Sequence, residues 1–414
     1  MTAIAAARQF EDAAHPPRHS REELLAKIPA LVEGIARDAV KRDLDRELPF
    51  EAFRLFKQAG LGTLRIPVAL GGPGGSVADY IEVITAIGSA DSNVAHALRS
   101  HFNFTESLAL NPDAPRAREH LAHVLEGKLF GGAHTEQGGT QAGGISTRLS
   151  RTADGLRLNG RKWYATGTAF ADYASISARD DDDQFVSVML PVDRKGITIL
   201  DDWDGMGQKL TASGGVLLED VEVLEHEISP RALDGNIGRH TSTLRQLHLA
   251  ASAAGAVRAV FREGTAYVQK QARSAAHSHA ATAREDHFVQ KVVGELAART
   301  FAVDVLIAES ARALDRTVAA FAAGDEEKLE AALLDSSLTT ARTQLITADL
   351  ALKAAEQIFE LGGGSATSRK YNFDRHWRNI RTVLNHNPLL HKARVVGDFY
   401  LNGTTTFLEE GKVF

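Results

Sequence analysis

Three long segments rich in Ala and Leu in the final third of the chain constrain its fold most strongly. Each repeats apolar residues at i, i+3 and i+4, and they cover residues 241–272, 286–323 and 326–361. Asn387 and Pro388 form an N-cap and N1 pair that predicts one more helix, to about Leu401. Helices of this length bury their apolar faces against one another. We therefore predict a C-terminal four-helix bundle over residues 239–414.

The first third of the chain is also predicted to be helical. Ser20 and Glu23 form a capping box, and Pro49 opens a helix that Gly60 ends. The pattern changes near residue 130, where short strand-like runs begin. These observations predict an N-terminal helical domain over residues 1–129.

The middle of the chain is predicted to be a β domain over residues 130–238. Asp154-Gly155 and Asn159-Gly160 are turn signals, and the acidic run 180–183 is typical of a solvated hairpin tip. The predicted fold class is therefore α+β and mostly α. It consists of an N-terminal helical domain, a central antiparallel β domain and a C-terminal four-helix bundle.

Composition excludes several classes of function. The 414 residues carry a net charge of −6, which favours neither nucleic acid nor anionic membrane. The absence of Cys excludes thiol nucleophiles and Cys-metal sites. No apolar run reaches 18 residues and no signal peptide is recognisable, so we expect a cytoplasmic protein. His120/His123 and His277/His279 have metal-like spacing but no accompanying carboxylates, so no metal site is expected.

Three motifs together resemble the acyl-CoA dehydrogenase superfamily, and the resemblance covers residues from about 20 to 402. Residues 134–140 (HTEQGGT) resemble its T-E-P-x-x-G-S segment, which lies against the flavin. Residues 159–167 (NGRKWYATG) resemble the strand whose Thr hydroxyl sits beside flavin N5, and residues 357–363 (QIFELGG) resemble its flavin-binding turn. Each motif alone is weak, and the combination in this order is specific.

A narrower resemblance is to the dibenzothiophene monooxygenases and the sulfur-acquisition oxidoreductases related to them. It rests on residues 201–208 (DDWDGMGQ), 373–382 (FDRHWRNIRT) and 385–388 (NHNP). The resemblance implies reduced FMN delivered by a separate flavin reductase, with FAD as an alternative cofactor. It also implies a homotetramer of the kind in which a neighbouring chain completes the flavin site.

A missing carboxylate separates the two activities of this family. The dehydrogenases place a catalytic Glu either just before the last helix or on the first bundle helix, to remove a proton from the substrate. Here the first segment carries His386 and the second carries Arg245. A neutral imidazole at His386 would stabilise a flavin C4a-hydroperoxide and shuttle its proton. The alternative is a His that only caps the helix.

The resemblance assigns further residues to the site. It implies His386, His101 and Thr166 as catalytic groups, although His101 could equally be a core residue. The implied flavin-binding residues are Thr135, Thr166, Trp203, Ser213, Arg273, Gln357, Gly362 and Gly363. Trp203 could instead belong to the core, and Arg273 could instead complement a helix dipole.

We therefore predict a two-component flavin-dependent monooxygenase of sulfur metabolism. It would transfer one oxygen of O2 through the flavin C4a-hydroperoxide to a small heteroatom substrate, with organosulfur favoured. The alternatives are an FAD-containing, acyl-CoA dehydrogenase-like oxidoreductase and an amine N-hydroxylase on the same fold.

Overall fold

The N-terminal part of the chain is helical, as predicted. The computed structural model describes residues 3–4, 19–137, 144–230 and 235–407. The N-terminal helices are α1 (Arg21–Ala26), α2 (Ile28–Ala36), α3 (Ala39–Asp45), α4 (Phe50–Ala59), α5 (Val77–Ala90), α6 (Ser92–Ala97), α7 (Arg99–Leu110) and α8 (Ala117–Leu125). The Ser20 hydroxyl accepts a hydrogen bond from the Glu23 N–H at 3.2 Å, and Gly60 ends α4 in a left-handed conformation.

The central part of the chain forms one mixed sheet. Its strands are β1 (Phe130–Ala133), β2 (Arg148–Thr152), β3 (Gly155–Lys162), β4 (Tyr173–Arg179), β5 (Phe185–Pro191), β6 (Ile197–Ile199), β7 (Val216–Val223) and β8 (Ile228–Pro230). The strand order is β6-β7-β3-β2-β4-β5-β8, and β1 also pairs with β4. Both β1 and β2 run parallel to β4, which corrects the prediction of a wholly antiparallel β domain. Turn signals in a sequence predict only hairpins, which join consecutive antiparallel strands. The β1–β4 and β2–β4 pairs are parallel, so no turn signal could predict them.

The turn signals are partly confirmed. Asp154-Gly155 lies at the β2–β3 hairpin, and the acidic run 180–183 joins β4 to β5. Asn159-Gly160 does not turn the chain but lies inside β3, where the pairing with β7 shifts register. The Asn159 side chain accepts a hydrogen bond from the Asp220 N–H at 2.8 Å, so it supports the bulge instead.

Long helices form the C-terminal part of the chain. They are α9 (Asn236–Lys270), α10 (His287–Ala323), α11 (Glu326–Gln357), α12 (Asp374–Leu384) and α13 (Leu389–Asn402). The Asp286 carboxylate caps α10, and Gly324 ends it in a left-handed conformation. α13 begins one residue after Pro388, and Asn387 makes no side-chain cap for it. The domain division at residues 129/130 and 238/239 stays a prediction.

Helix α5 lies very close to α9, which brings the N-terminal and C-terminal helices together. A Cβ added at Gly255 of α9 would come within 2.5 Å of the Gly88 backbone of α5, so only glycine allows this approach. Much of α9 here is buried Ala, which keeps the surfaces flat. The contact positions α6, which follows α5 directly, beside the middle of α9. Among the described residues, no helix is long and apolar enough to cross a lipid bilayer.

Candidate active site

The structure places His386 beside His96, a residue that the sequence analysis did not select. The two imidazole rings lie edge to face, with 6.2 Å between their centroids. His96 lies on α6 and is 5% exposed, while His386 lies in the short connection between α12 and α13. The pair therefore joins the N-terminal helices to the end of the chain.

Hydrogen bonds define which ring nitrogens remain open. His386 Nδ1 lies 3.1 Å from the Asn387 side-chain oxygen, and His96 Nδ1 lies 3.3 Å from the Gln208 side-chain oxygen. The Gln208 amide is oriented because its nitrogen donates to the Asn379 carbonyl at 3.3 Å. Both Nδ1 atoms therefore carry the proton, and both Nε2 atoms are acceptors. His96 Nε2 is buried without a hydrogen-bond partner.

His386 lies at the surface of the chain, and the region around it and His96 is called the cleft. Its side chain reaches solvent, yet the ring lies deep among surrounding protein atoms. Burial, together with the charges of Arg99, Arg245 and Lys392, lowers the pKa of His386 to about 3. Burial and Arg99 also hold the pKa of His96 well below its usual value. Both rings are therefore neutral at physiological pH.

His101, the predicted pocket histidine, is not part of this group. Its Nε2 donates to the Gly62 carbonyl at 2.9 Å, and its Nδ1 accepts from the Phe130 N–H at 3.3 Å. The side chain is 2% exposed, so both nitrogens serve the packing of α7 against β1. His101 lies five positions after His96, which rotates the two side chains to different faces of a helical segment. His96 and His101 lie on two separate helices, because the short α6 ends before α7 begins. A sequence signal for that helix end could have distinguished the two histidines.

Thr166 and Ser213 form a buried chain of hydroxyl groups with Thr211. Thr166 Oγ1 lies 2.7 Å from Ser213 Oγ, which lies 2.6 Å from Thr211 Oγ1. Thr211 Oγ1 donates to the Gln208 carbonyl at 2.9 Å. Each hydroxyl has one proton, so Ser213 must donate to Thr211 and Thr166 must donate to Ser213. Thr166 therefore offers free lone pairs to whatever it faces.

The hydroxyl chain and the histidine pair belong to one site. A Cβ added at Gly167, where φ is +78°, would lie 2.1 Å from the Ala97 carbonyl, so the backbone after Thr166 touches the end of α6. Gln208 connects the two groups directly, since it contacts His96 through its side chain and Thr211 through its carbonyl. The loop that carries Gln208, and no local sequence motif, brings the β domain to His96.

Half-buried and exposed aromatic rings border the hydroxyl chain. Trp203 lies 5.9 Å from Tyr164 at a 70° angle, and its indole N–H donates to the Gln208 carbonyl at 2.9 Å. Tyr164 is 54% exposed and has a positive φ of 56°. Thr135 pairs with Trp163 at the neighbouring edge and is also exposed, whereas Gly138 to Thr140 of that motif lie outside the described residues.

These features fit a flavin. Planar aromatic surfaces suit the isoalloxazine ring, and a buried hydroxyl with free lone pairs suits its polar edge. The unpartnered His96 Nε2 is a further acceptor beside the same loop. Four of the predicted flavin-binding residues thus lie in the same part of the structure. They are Thr135, Thr166, Trp203 and Ser213.

The remaining predicted flavin residues lie elsewhere. Ile358 and Leu361, which lie within the Gln357-to-Gly363 turn, pack with Tyr267 near the end of α9. Arg273 follows that helix as an exposed residue. Arg245 and Tyr267 are separated by about 33 Å along the helix, which one mononucleotide does not span. The Thr166 region therefore does not include Arg273, Gln357, Gly362 or Gly363 of the same chain. Gln357 instead donates to Glu295 at 2.7 Å.

Positive charge accumulates at the cleft. Arg99, Arg245 and Lys392 all act electrostatically on His386. Burial and the neighbouring Arg245 charge lower the pKa of Arg99 to about 10. Burial lowers the pKa of Lys392 to about 8. Sequence analysis noted Arg245 only as a replaced base and missed the cluster, because its members come from α7, α9 and α13.

Metal ligands do not gather at this cleft. Within the parts of the chain that the structure describes, no group of three or more His, Asp or Glu side chains could hold a metal ion. The His120 and His123 rings lie 6.4 Å apart and pack against aromatic neighbours, Phe130 and Tyr173 respectively.

The three parts of the chain match the three domains of one family. Residues 21–127 match the N-terminal domain of acyl-CoA dehydrogenase, residues 132–221 its middle domain and residues 247–389 its C-terminal domain. The chain therefore belongs to the acyl-CoA dehydrogenase family, and the predicted fold class is confirmed.

Individual relatives lie in the monooxygenase branch, as predicted. The chain is 28% identical over 396 residues to the probable FMNH2-dependent monooxygenase SfnC of Pseudomonas putida, covering 94% of this chain and 96% of that one. It is 26% identical over 363 residues to the dibenzothiophene monooxygenase of Mycolicibacterium goodii, covering 84% and 86%.

Solved structures share the fold. FMN-bound TdsC from Paenibacillus superposes with a TM-score of 0.81 at 24% identity, covering 92% of this chain and 98% of that one. Methanesulfinate monooxygenase MsuC from Pseudomonas fluorescens superposes with a TM-score of 0.82 at 24% identity, covering 92% and 97%.

Proposed function

We propose that this chain is the oxygenase component of a two-component, FMN-dependent monooxygenase that oxidises a small organosulfur compound. A separate reductase supplies reduced FMN in the cytoplasm. Reduced flavin, when bound, supplies the two electrons needed to split O2. One oxygen atom then enters the product and the other becomes water. The relatives SfnC, dibenzothiophene monooxygenase and MsuC carry names of this class.

The observation that carries this proposal is the neutral pair His96 and His386. A dehydrogenase of this family needs a carboxylate there to remove a proton. No carboxylate contacts either ring in the described part of the chain, and the surrounding charges are positive. An imidazole with so low a pKa is a weak base for a carbon-bound proton, but it can receive and pass on a proton from oxygen.

Each residue has a defined task in the proposed reaction. His386 and His96 present Nε2 acceptors, so they orient an O–H group that enters between them. His386 can take that proton only transiently, because its low pKa does not allow it to hold the proton. Thr166 presents lone pairs to the flavin edge, and Trp203 and Tyr164 offer surfaces for its ring.

Assembly completes the flavin site in this proposal. Arg273 is exposed and distant from Thr166 in the same chain, so it can serve only the site of a neighbouring chain. The guanidinium would bind the flavin phosphate in a bidentate, charge-assisted manner. Gln357, Gly362 and Gly363 lie at the same end of the bundle and would contribute with it. We propose a homotetramer built from such complementary pairs.

The two alternatives are weaker on specific grounds. Acyl-CoA oxidation lacks a base at both family positions, which carry His386 and Arg245. Amine N-oxygenation would require a substrate that is positively charged at neutral pH to approach Arg99 and Arg245, which is electrostatically unfavourable.

A single-turnover experiment tests the function. Enzyme with chemically reduced FMN is mixed with oxygenated buffer and an organosulfur compound, and labelled oxygen in the product is measured by mass spectrometry. We expect one atom from O2 per reduced FMN. Bleaching of enzyme-bound oxidised flavin by an acyl-CoA under anaerobic conditions would contradict the proposal and favour a dehydrogenase.

A further inference from the structure

Gln208 has a backbone conformation that is unfavourable for a residue with a side chain. Its φ angle is +51°, in the left-handed region that favours glycine. Gly207, the residue before it, lies so close to α12 that an added Cβ would come within 2.0 Å of the Arg378 carbonyl. Strain of this kind persists only where surrounding contacts impose it, and it is found most often at functional sites. The contacts that hold Gln208 therefore indicate the role of this loop.

Asn379 of α12 holds Gln208 at two points. Its side-chain oxygen accepts from the Gln208 backbone N–H at 2.6 Å, and its carbonyl accepts from the Gln208 side-chain nitrogen at 3.3 Å. The same nitrogen donates to Ser92 Oγ at 3.4 Å. Gln208 is 1% exposed and Asn379 is 4% exposed, so bulk water does not compete for these contacts. Both protons of the Gln208 amide nitrogen are thus committed.

The oxygen of the same amide faces His96, with 3.3 Å between Gln208 Oε1 and His96 Nδ1. An amide oxygen can only accept, so Nδ1 must carry the ring proton and Nε2 must keep its lone pair. We infer that Asn379 and Gln208 are positioning residues, which fix His96 in this tautomer from the backbone of α12. The meaning of this arrangement for catalysis rests on the proposed function, whereas the tautomer itself does not.

The Gln208 carbonyl extends this control to the hydroxyl chain. It accepts at 2.9 Å from Thr211 Oγ1, which ends the chain that begins at Thr166. The side-chain amide of Gln208 therefore sets the proton of His96, and its carbonyl sets the direction of the hydroxyl protons. α12 also leads directly into the connection that carries His386. The position of one helix consequently affects both imidazoles and the hydroxyl chain.

An amide fixes the tautomer of His96 without adding a charge. A carboxylate in its place would also accept from Nδ1, but it would stabilise the imidazolium, in which Nε2 has no lone pair. Burial, Arg99, His386 and His248 lower the pKa of His96, while the hydrogen bond to Gln208 acts in the opposite direction. A neutral acceptor therefore preserves the Nε2 lone pair that orients an O–H group in the proposed reaction.

NMR of the flavin-free protein tests the inference without catalysis. Long-range proton–nitrogen spectra of protein with ¹⁵N-labelled histidine distinguish the two tautomers and the imidazolium, and His96→Gln identifies the His96 signals. We expect the Nδ1–H tautomer of His96 at neutral pH. Gln208→Met should produce a detectable Nε2–H form, and Gln208→Glu should raise the pKa of His96 by about one to three units. Gln290→Met is the matched control, because Gln290 donates to the Arg284 carbonyl at the surface. It should change neither property.

Asn379 requires separate variants, since it acts through Gln208. Asn379→Ala removes the acceptor of the Gln208 N–H and should give a smaller amount of the Nε2–H form of His96, because the backbone carbonyl remains. Asn379→Asp keeps an acceptor and should restore the Nδ1–H tautomer. Asn372→Ala removes a contact of 2.9 Å with Asp43 just before α12. It should lower the thermal midpoint and leave the tautomer unchanged.

Each outcome decides a separate question. A wild-type His96 protonated at Nε2, or an unchanged tautomer and pKa in both Gln208 variants, overturns the inference. Where the tautomer changes, an oxygen electrode and a peroxide assay should show that coupling of oxygen use to product falls by about tenfold, the worth of one hydrogen bond. A changed tautomer with full coupling would retain the positioning and remove His96 from the proposed reaction. Failure of the wild-type enzyme to transfer oxygen would reject the proposed function and leave the assignment of the tautomer intact.

Discussion

Thr166 Oγ1 lies 2.7 Å from Ser213 Oγ, and the proton of Thr166 is committed to that contact by the hydroxyl chain that ends at the Gln208 carbonyl. In the proposed flavin site, Thr166 would therefore act as an acceptor towards the flavin. Reduced flavin carries an N5–H donor, whereas oxidised flavin has only a lone pair there. We therefore expect the direction of the hydroxyl chain to favour the reduced cofactor.

Replacement of Ser213 should weaken this preference. In Ser213→Ala, the Thr166 hydroxyl loses the acceptor to which it donates its proton. It can then donate to oxidised flavin as well. We expect the ratio of the dissociation constants of FMN and reduced FMN to fall by about tenfold, the worth of one hydrogen bond. Anaerobic fluorescence titration measures both constants. Ser175→Ala, which removes a similar Ser175–Ser187 contact of 2.8 Å within the sheet, is the matched control. An unchanged ratio in Ser213→Ala would show that Thr166 does not select the redox state.

Removal of the His386 ring should uncouple oxygen use from product formation. His386→Ala should keep its fold and bind flavin, while product formation falls by roughly two to four orders of magnitude, the usual contribution of a positioned acid–base group. Oxygen should still be consumed and appear as hydrogen peroxide. An oxygen electrode and a peroxide assay measure the ratio, with the exposed His279→Ala as control. Full coupling in the variant would remove His386 from the mechanism.

His96 and His386 should act as a unit. Because their rings meet edge to face and both present Nε2 acceptors, the double variant His96→Ala/His386→Ala should be little worse than either single variant. His101→Gln should lower the thermal midpoint but leave the coupling ratio of the folded enzyme unchanged, since both its nitrogens bind backbone groups. Independent, multiplicative losses in the double variant would argue against a shared proton path.

Buried neutral histidines should make the protein sensitive to acid. Burial lowers the pKa of His101 to about 4 and of His248 to about 3, against ~6.5 in an unfolded chain. The unfolded state therefore binds more protons below pH 6.5, and stability falls as the pH falls through this range. Each residue should cost about 2.5 kcal/mol between pH 7 and 4.5.

Urea unfolding at the two pH values measures this effect. His248→Gln should be less stable at pH 7, because it loses the Tyr80 contact, but its loss between pH 7 and 4.5 should be smaller by about 2.5 kcal/mol. His279→Gln, an exposed control, should show the full wild-type loss. An identical pH dependence in His248→Gln would mean that this histidine is already charged in the folded protein.

Subunit mixing tests the shared flavin site. Thr166→Val and Arg273→Ala should each bind FMN weakly as homo-oligomers, because each damages one side of every site. Unfolded and refolded together, they should regain normal affinity in a fraction of the sites, which pair an intact Thr166 with an intact Arg273 from another chain. Light scattering should give a tetramer. A monomer, or no recovery on mixing, would reject the role of Arg273.

Local signals in the sequence predicted much of the fold. Ser20 and Gly60 mark helix ends through single-residue geometry, and the periodic apolar positions predicted the long helices α9, α10 and α11. Asn159-Gly160 wrongly predicted a turn, because the same dipeptide can support a bulge when a neighbouring strand supplies the pairing. The parallel pairing of β1 with β4 has no local signature at all.

The sequence by itself determined the order of the elements, the family and the absence of a carboxylate at both base positions, because these are properties of single segments. Only the tertiary structure decided that His96, and not His101, meets His386, and that the Arg245 charge acts on Arg99. Those contacts join residues far apart in the chain and depend on how closely α5 approaches α9 at Gly88 and Gly255. Periodicity defines the buried face of a helix but not the partner that covers it. The charge of the cleft, which depends on those partners, therefore appears only in the folded chain.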